Sequence, residues 1–284
     1  MISCGSQCLK SLLNQQDNVL SQLHLLISTA VILVLIVALL LMLIPDSATA
    51  NELSEIQHRS YVRIAVKDNV RPLAFKDVKG NLQGLEIDLA QRLATDLLGK
   101  DANMKLVTMA NRDRLPMIFN HKVDLVIARV TSTTSRSRIV SFSIPYYLDG
   151  TLLVTKDTSL ERLQDLATRK IGVLNNSSTI ASLKFYLPNS ELVGVSSYKQ
   201  GKELLENNTI AAFAADGSVL AGWVQEYPQY HLITTKLSTE PLSVVMPKGM
   251  QYDELRQKVN SALTNYISTG WLKQRIIHWG LPVY

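Results

Sequence analysis

The feature that most constrains the fold is an alternation of strand-like and helix-like segments that begins near residue 61 and runs twice along the chain. In the first round, Val62–Val66 predicts a strand, and leucines at every fourth position from Leu85 to Leu97 predict a helix. Lys105–Met109 and Val123–Ala128 predict the next strands, and the second of these is apolar enough to be buried on both faces. The first round is therefore β-α-β-α-β.

The second round of alternation occupies the following eighty residues. Its predicted segments are strands at Thr151–Val154, Lys170–Leu174, Leu192–Val195 and Thr209–Ala215, and helices at Leu160–Ala167, Thr179–Tyr186, Lys199–Glu206 and Ser218–Glu226. A last strand, Leu242–Met246, and a last helix, Asp253–Ile267, follow. This order predicts an α/β protein with parallel-rich sheets in two lobes. The last strand and helix are expected to return to the first lobe, so lobe 1 comprises residues 61–150 and 243–284, and lobe 2 comprises residues 151–242.

The N-terminus contains a hydrophobic run of twenty residues, 25–44, with no charged side chain. Its length is close to the roughly 20 residues with which a helix crosses a bilayer. Ala48-Thr49-Ala50 follows with the small-x-small pattern of signal peptidase sites. Two interpretations stay open, a transmembrane anchor and a signal peptide cleaved near Ala50. Both predict a cytoplasmic tail at residues 1–24, a signal core or anchor at 25–45, a linker at 46–60 and an exported remainder.

Composition excludes several classes of site. Both cysteines, Cys4 and Cys8, precede the hydrophobic run, so the exported part has no disulfide. The formal net charge of +5 is scattered along the chain and no nucleic-acid-binding signature occurs, so no nucleic-acid partner is expected. The histidines have no metal-ligand spacing, and neither a nucleophile elbow nor a phosphate-binding glycine loop is present. We therefore expect no catalytic residues, no metal and no cofactor.

Polar residues follow the predicted strands at the edge where open parallel sheets bind ligands. The four clusters begin at Lys67, Arg129, Asn175 and Asp216, and they include Thr131, Ser177 and Ser178. Together they resemble a receptor for a zwitterion. Arg136 could hold an α-carboxylate together with the helix start at Ser177-Ser178, and Asp216 could hold an α-ammonium.

Each of these clusters also has a purely structural interpretation. Thr131–Ser135 and Ser177–Thr179 are equally consistent with helix caps. Asp216-Gly217 is a common turn sequence, and Arg136 is consistent with a solvated face. The joint placement of the clusters at strand ends favours binding.

The chain from about Tyr61 to Leu281 resembles the bacterial extracellular solute-binding proteins of family 3, the polar amino-acid-binding components of ABC transporters. The motifs that carry the resemblance are RPLAF at 71–75 with GNLQGLEIDLAQRLA behind it, DLVIARVTSTTSR at 124–136 running into VSFSIPYY, IGVLNNSST at 171–179, AAFAAD at 211–216 and GWL at 270–272. The resemblance implies a two-lobed periplasmic binding protein fold of type II. It also implies a two-strand hinge near Thr151–Val154 and Leu242–Met246.

Matched position by position, the resemblance implies that Thr131 and Arg136 are ligand-binding residues. It implies further that Ser178 meets the same carboxylate as Arg136 and that Asp216 holds the α-ammonium. The chain departs from the family pattern at Arg129, which stands where many members have Gly or Ser and would either crowd the ammonium site or point away from it. It departs again at Lys67, a position that usually faces the ligand side chain.

A cation at position 67 resembles the binders of acidic amino acids, so glutamate or aspartate is the expected ligand, with Arg71 as a second cation. The competing interpretation is that Lys67 and Arg71 are solvated loop charges. The resemblance implies a monomer that closes its lobes on the ligand outside the cytoplasmic membrane and delivers it to an ABC permease. Two alternatives stay open: a cyclohexadienyl or prephenate dehydratase-like enzyme on the same fold, and a membrane-anchored ligand sensor.

Overall fold

The computed structural model describes residues 32, 33, 36, 52–99 and 103–283. The chain divides into two compact units, residues 1–50 and 51–284. In the first unit, Ile32, Leu33 and Ile36 are helical and exposed. The other residues of the hydrophobic run, both cysteines and the Ala48–Ala50 pattern lie outside the described residues. In the described ranges, no helix is long and apolar enough to cross a bilayer.

The second unit alternates strands and helices as the sequence predicts. Its α-helices are α1 (Glu52–His58), α2 (Leu85–Leu98), α3 (Arg114–Phe119), α4 (Thr179–Tyr186), α5 (Tyr198–Glu206), α6 (Gly217–Glu226), α7 (Asp253–Ser268) and α8 (Trp271–His278). Its strands are β1 (Tyr61–Val66), β2 (Asn69–Val70), β3 (Ala74–Lys76), β4 (Leu82–Gln83), β5 (Asn103–Thr108), β6 (Leu125–Ile127), β7 (Ser141–Asp149), β8 (Thr151–Thr155), β9 (Lys170–Leu174), β10 (Glu191–Val195), β11 (Ala212–Asp216), β12 (His231–Ile233) and β13 (Glu240–Met246). Short 3-10 helices lie at Asn111–Asp113, Arg136–Arg138, Leu163–Leu166 and Met250–Tyr252.

Two five-stranded sheets form the centres of two lobes. The first has the order β5-β1-β6-β13-β7 and the second β10-β9-β11-β8-β12. In each sheet three neighbouring strands are parallel, and two strands at one side pair antiparallel. Strand β13 joins the first sheet after the chain has built the second, so the first lobe is discontinuous in sequence. The exact lobe limits at residues 150 and 242 stay a prediction.

Helix α2 shows how the sequence builds the core of the first lobe. The leucines at positions 85, 89, 93 and 97 are buried in one apolar cluster that also contains Val62 and Ile64 of β1. Each fully buried leucine contributes roughly 1.5–3 kcal/mol of transfer free energy. The fourfold leucine spacing therefore fixes the face that α2 presents to the sheet.

Two strands cross between the lobes side by side. β7 passes into β8 through Gly150, and the chain returns through Leu237 and Ser238 into β13. The N–H of Leu237 donates to the carbonyl of Thr151 at 2.9 Å. A Cβ at Gly150 would lie 1.9 Å from the carbonyl oxygen of Ser238, so only glycine allows the two strands to approach this closely. This crossing is the two-strand connection expected of a hinge.

Two predicted segments differ from the structure. The helix expected at 160–167 is a 3-10 helix at Leu163–Leu166, whose buried leucines are spaced three residues apart. The strand expected from residue 209 begins at Ala212, because the N–H of Thr209 donates to Leu204 and closes the end of α5. β12 and the small sheet β2-β3-β4 lie in segments for which the sequence predicted no element.

Candidate functional site

The carboxyl ends of the strands in both lobes open onto one cavity of about 270 Å³, which we call the inner cavity. Its lining residues are Arg114, Arg129, Thr131, Arg136, Asp149, Leu174, Ser177, Ser178, Thr179, Tyr198, Ala214, Ala215, Asp216, Glu240 and Leu242. Six of the eight predicted site residues are among them. The volume is just below the ~300 Å³ at which pockets for drug-sized ligands begin, so the inner cavity suits a small solute.

The first lobe contributes Thr131 and Arg136 through the loop after β6. Thr131 bridges to Leu242 of β13, and the N–H of Ser132 donates to the carbonyl of Pro241 at 2.9 Å. Arg136 begins a 3-10 helix and donates from Nη1 to the carbonyl of Thr131 at 2.8 Å. These contacts hold the guanidinium at the cavity wall.

The second lobe contributes two serines at the start of α4. Ser178 occupies the N-cap position of α4, but its side chain makes no capping hydrogen bond. The Oγ of Ser177 is buried and has no hydrogen-bond partner among the described residues. The capping interpretation therefore does not account for these hydroxyls, and both stand at a helix N-terminus, where anions are favoured.

Asp216 ends β11 and occupies the N-cap position of α6, again without a capping hydrogen bond from its side chain. Its carboxylate forms an ion pair with the guanidinium of Arg129, which reaches across from the first lobe. About a fifth of each side chain is exposed, so solvent partly screens the pair. Arg129 thus enters the site rather than pointing away from it.

The position of Arg129 depends on a buried glutamate, Glu86, in the first turn of α2. The Oε1 of Glu86 accepts the N–H of Arg129 at 2.6 Å and the hydroxyl of Tyr146 at 2.5 Å. Arg129 adopts a left-handed backbone conformation, with φ of 49°. Burial raises the pKa of Glu86, and it raises the pKa of Tyr146 well above the ordinary value.

Sequence reasoning missed three charged residues of the inner cavity. Arg114 donates to the carbonyls of Ala128 and Arg129, and burial lowers its pKa, with Arg129 and Arg136 adding repulsion. Asp149 accepts the N–H groups of Gly150 and Ser218 at 2.9 and 3.0 Å.

The third missed residue, Glu240, stands at the start of β13. Its pKa is raised by burial and then by the nearby charge of Asp149. Asp149 and Glu240 lie where the two connecting strands cross between the lobes. Only the family resemblance implied such a crossing.

Lys67 and Arg71 line a second, larger cavity of about 880 Å³, which we call the outer cavity. It shares Arg129 and Tyr198 with the inner cavity. The Nζ of Lys67 donates to the carbonyl of Met109 at 2.9 Å, and burial lowers the pKa of this lysine. Arg71 lies over the ring of Phe75 and 3.5 Å from a carboxylate oxygen of Glu226. Lys67 and Arg71 therefore line a different cavity from Arg136, and Arg129 lines both cavities.

The site offers electrostatic and hydrogen-bonding groups. Within residues 52–99 and 103–283, no three His, Cys, Asp or Glu side chains are grouped to hold a metal ion. Three guanidinium groups and three carboxyl groups surround the inner cavity. Such a lining suits a small solute that carries charge.

The chain is similar to known proteins over most of its length. A model of the bacterial extracellular solute-binding proteins, family 3, matches residues 62–282. An ABC transporter glutamine-binding protein of Bacillus subtilis is 24% identical over 233 residues, which are 78% of this chain and 85% of that protein. A glutamine-binding protein of Geobacillus stearothermophilus is 27% identical over 201 residues, 70% of this chain and 77% of that protein.

Solved structures give the same fold. An ancestral cationic amino acid solute-binding protein superimposes with a TM-score of 0.69 at 24% identity. The match covers 81% of this chain and 99% of that one. The two-lobed type II fold predicted from the sequence is therefore confirmed. The family match spans most of the chain and both lobes, and this protein belongs to the bacterial extracellular solute-binding proteins of family 3.

Proposed function

We propose that the protein captures a polar amino acid in the inner cavity by closing its two lobes and delivers it to an ABC permease. The observation that carries the proposal is the inner cavity itself, where Arg136 and Thr131 of one lobe face Ser177, Ser178 and Asp216 of the other. A solute held by both lobes favours the closed form by its differential affinity for that form. Capture of this kind requires no chemical step.

In this proposal the α-carboxylate of the ligand binds Arg136, with the hydroxyl of Ser177 and the N-terminus of α4 as further donors. The unpartnered Oγ of Ser177 supports this assignment, because a buried hydroxyl without a partner costs free energy that a ligand oxygen recovers. The α-ammonium binds Asp216 and Thr131. To reach Asp216 it exchanges with the guanidinium of Arg129.

We further propose that the ligand is acidic, glutamate or aspartate, and that its side chain extends past Arg129 toward Lys67, with Arg71 as a second cation. Lys67 supports this idea because, among the described residues, its ammonium bonds to a carbonyl oxygen and to no carboxylate. A buried cation of this kind gains from a ligand anion. The relatives named for glutamine raise the neutral amide as the competing choice.

The proposal places the protein outside the cytoplasmic membrane as a monomer. The membership of an extracellular family and the hydrophobic run at residues 25–44 support export. Attachment by that run and release after cleavage near Ala50 are both compatible with delivery to a permease. Mass spectrometry of the mature N-terminus distinguishes them.

The test is thermal stabilisation of the purified protein by each common amino acid, after bound ligand has been removed by unfolding and refolding. A ligand at about 100 times its dissociation constant stabilises the native state by about 2.7 kcal/mol. We expect Arg136→Gln to weaken binding by roughly 2–5 kcal/mol, the cost of removing one partner of a buried charge pair. The control is Arg162→Gln, which removes an exposed arginine paired with Asp165 and should leave binding unchanged.

Stabilisation by glutamate and aspartate alone would support the acidic ligand. Stabilisation by glutamine or arginine instead would retain the family function and reject the acidic side chain. If no amino acid raises the melting temperature, the proposal is wrong. Incubation with prephenate then becomes the decisive assay, since release of phenylpyruvate would indicate the dehydratase alternative.

A further inference from the structure

The inner cavity contains its own cation at the place where the amino group of a ligand would bind. The guanidinium of Arg129 extends from the first lobe to the carboxylate of Asp216 in the second. Asp216 makes no capping hydrogen bond to α6, so its side chain serves this pair and not the helix.

The backbone around Arg129 is fixed on both sides. Its N–H donates to Glu86 at 2.6 Å, and its carbonyl accepts Nη1 of Arg114 at 2.8 Å. The left-handed φ of 49° is a conformation that glycine adopts more readily than arginine. Glycine at this position would therefore keep the backbone conformation and remove the guanidinium.

Other acceptors of the inner cavity are occupied by groups of the protein. Arg114 occupies the carbonyls of Ala128 and Arg129, and Arg136 donates to the carbonyl of Thr131. Asp149 accepts two backbone N–H groups and the hydroxyl of Ser218. A ligand ammonium therefore competes with protein donors at these acceptors, and Glu240 is a further acceptor that lines the cavity.

The donors of the inner cavity are less fully used. Among the described residues, the hydroxyl of Ser177 has no partner, and the guanidinium of Arg136 makes one hydrogen bond. The cavity thus has donors that are available to a ligand anion.

We propose that the inner cavity also takes carboxylic acids that lack an α-ammonium, with Arg129 standing in for the missing charge. The inference rests on the proposed function in one respect, that Arg136 holds the carboxylate. It extends the ligand class from amino acids to their deaminated analogues. For an amino acid, binding is an exchange of cations on Asp216, whereas for a deaminated acid the Arg129–Asp216 pair stays intact.

The test is calorimetric titration of matched pairs that differ in the amino group alone, L-glutamate against glutarate and L-leucine against 4-methylpentanoate. For the unmodified protein we expect dissociation constants within tenfold of each other in at least one pair. Arg129→Gly keeps the left-handed backbone and frees Asp216. The affinity for the amino acid should therefore rise at least tenfold relative to the affinity for its analogue. Asp216→Asn should shift the preference the other way, because it frees the guanidinium of Arg129 for an anion.

Arg162→Gln serves as the control, because it removes an exposed arginine–aspartate pair that does not line the inner cavity. It should leave the ratio of the two dissociation constants unchanged in each ligand pair. One outcome would overturn this inference and leave the proposed function standing. In it, the unmodified protein prefers the amino acids by more than 100-fold, and Arg129→Gly does not change that preference. A preference that responds to Glu240→Gln, and not to Arg129→Gly, would place the amino group on Glu240 and also overturn it. If neither amino acids nor their analogues bind, the proposed function fails as well.

Discussion

Gly222→Ala is expected to weaken ligand binding without touching the inner cavity. Gly222 lies in α6 of the second lobe, and a Cβ built there would be 2.2 Å from the carbonyl oxygen of Arg71 in the first lobe. That is more than 1 Å short of the 3.4 Å at which ordinary van der Waals contact begins. The obstacle is a backbone carbonyl, so a change of side-chain rotamer cannot relieve the clash. Separation of the two lobes can relieve it.

The size of the effect follows from this geometry. Overpacking by one methyl group costs about 1–3 kcal/mol. Because opening relieves the clash, the cost falls on the closed form, and the dissociation constant should rise by about 5- to 150-fold. The ligand-free protein should melt at the same temperature or slightly higher, since alanine is favoured over glycine in a helix by about 1 kcal/mol.

The assay combines calorimetric titration with small-angle X-ray scattering. The variant should need more ligand than the wild type to reach the compact form. Gly201→Ala is the matched control, because its Cβ would lie 2.6 Å from the ring of Phe213 within the same lobe. It should lower the melting temperature and leave the affinity of the folded protein unchanged. Wild-type affinity and compactness in Gly222→Ala would refute the closure argument.

Two further predictions concern buried carboxyl groups. Burial raises the pKa of Glu86, so its stabilising contribution is complete below the unfolded pKa near 4.5 and is lost as pH rises through the folded pKa. The unfolding free energy of Glu86→Gln, relative to that of the wild type, should therefore increase as pH rises above about 4.5. Urea unfolding at several pH values measures this difference, and a difference that does not change with pH would contradict the prediction. Asp124 is buried and pairs with Arg59 and Arg63, so Asp124→Asn should cost about 3 kcal/mol in the same assay, and a loss below about 1 kcal/mol would show that the pairs are dispensable.

The sequence predicted much of the lining of the inner cavity, because parallel strands of one sheet end at the same edge. Residues after β6, β9 and β11 meet in one cavity for that reason. Arg114, Asp149 and Glu240 were not predicted in this way. Arg114 lies on a short helix, and its reach to the carbonyls after β6 depends on the tertiary packing.

The directions of Arg129 and Lys67 also could not be read from the sequence. A left-handed φ is expected of glycine, and nothing local in the sequence indicates it for Arg129. Lys67 follows β1 directly, yet its ammonium turns to the carbonyl of Met109 and lines the outer cavity. In both cases the side-chain direction depends on contacts with residues distant in sequence.

The most direct test of the central claim is a crystal structure of the protein with a bound amino acid. We expect the α-carboxylate in the inner cavity, within hydrogen-bond distance of the Arg136 guanidinium and of the Ser177 hydroxyl. The amino group should lie on Asp216, with Arg129 displaced from it. A ligand held in the outer cavity, with Arg136 and Asp216 making no contact to it, would contradict the account.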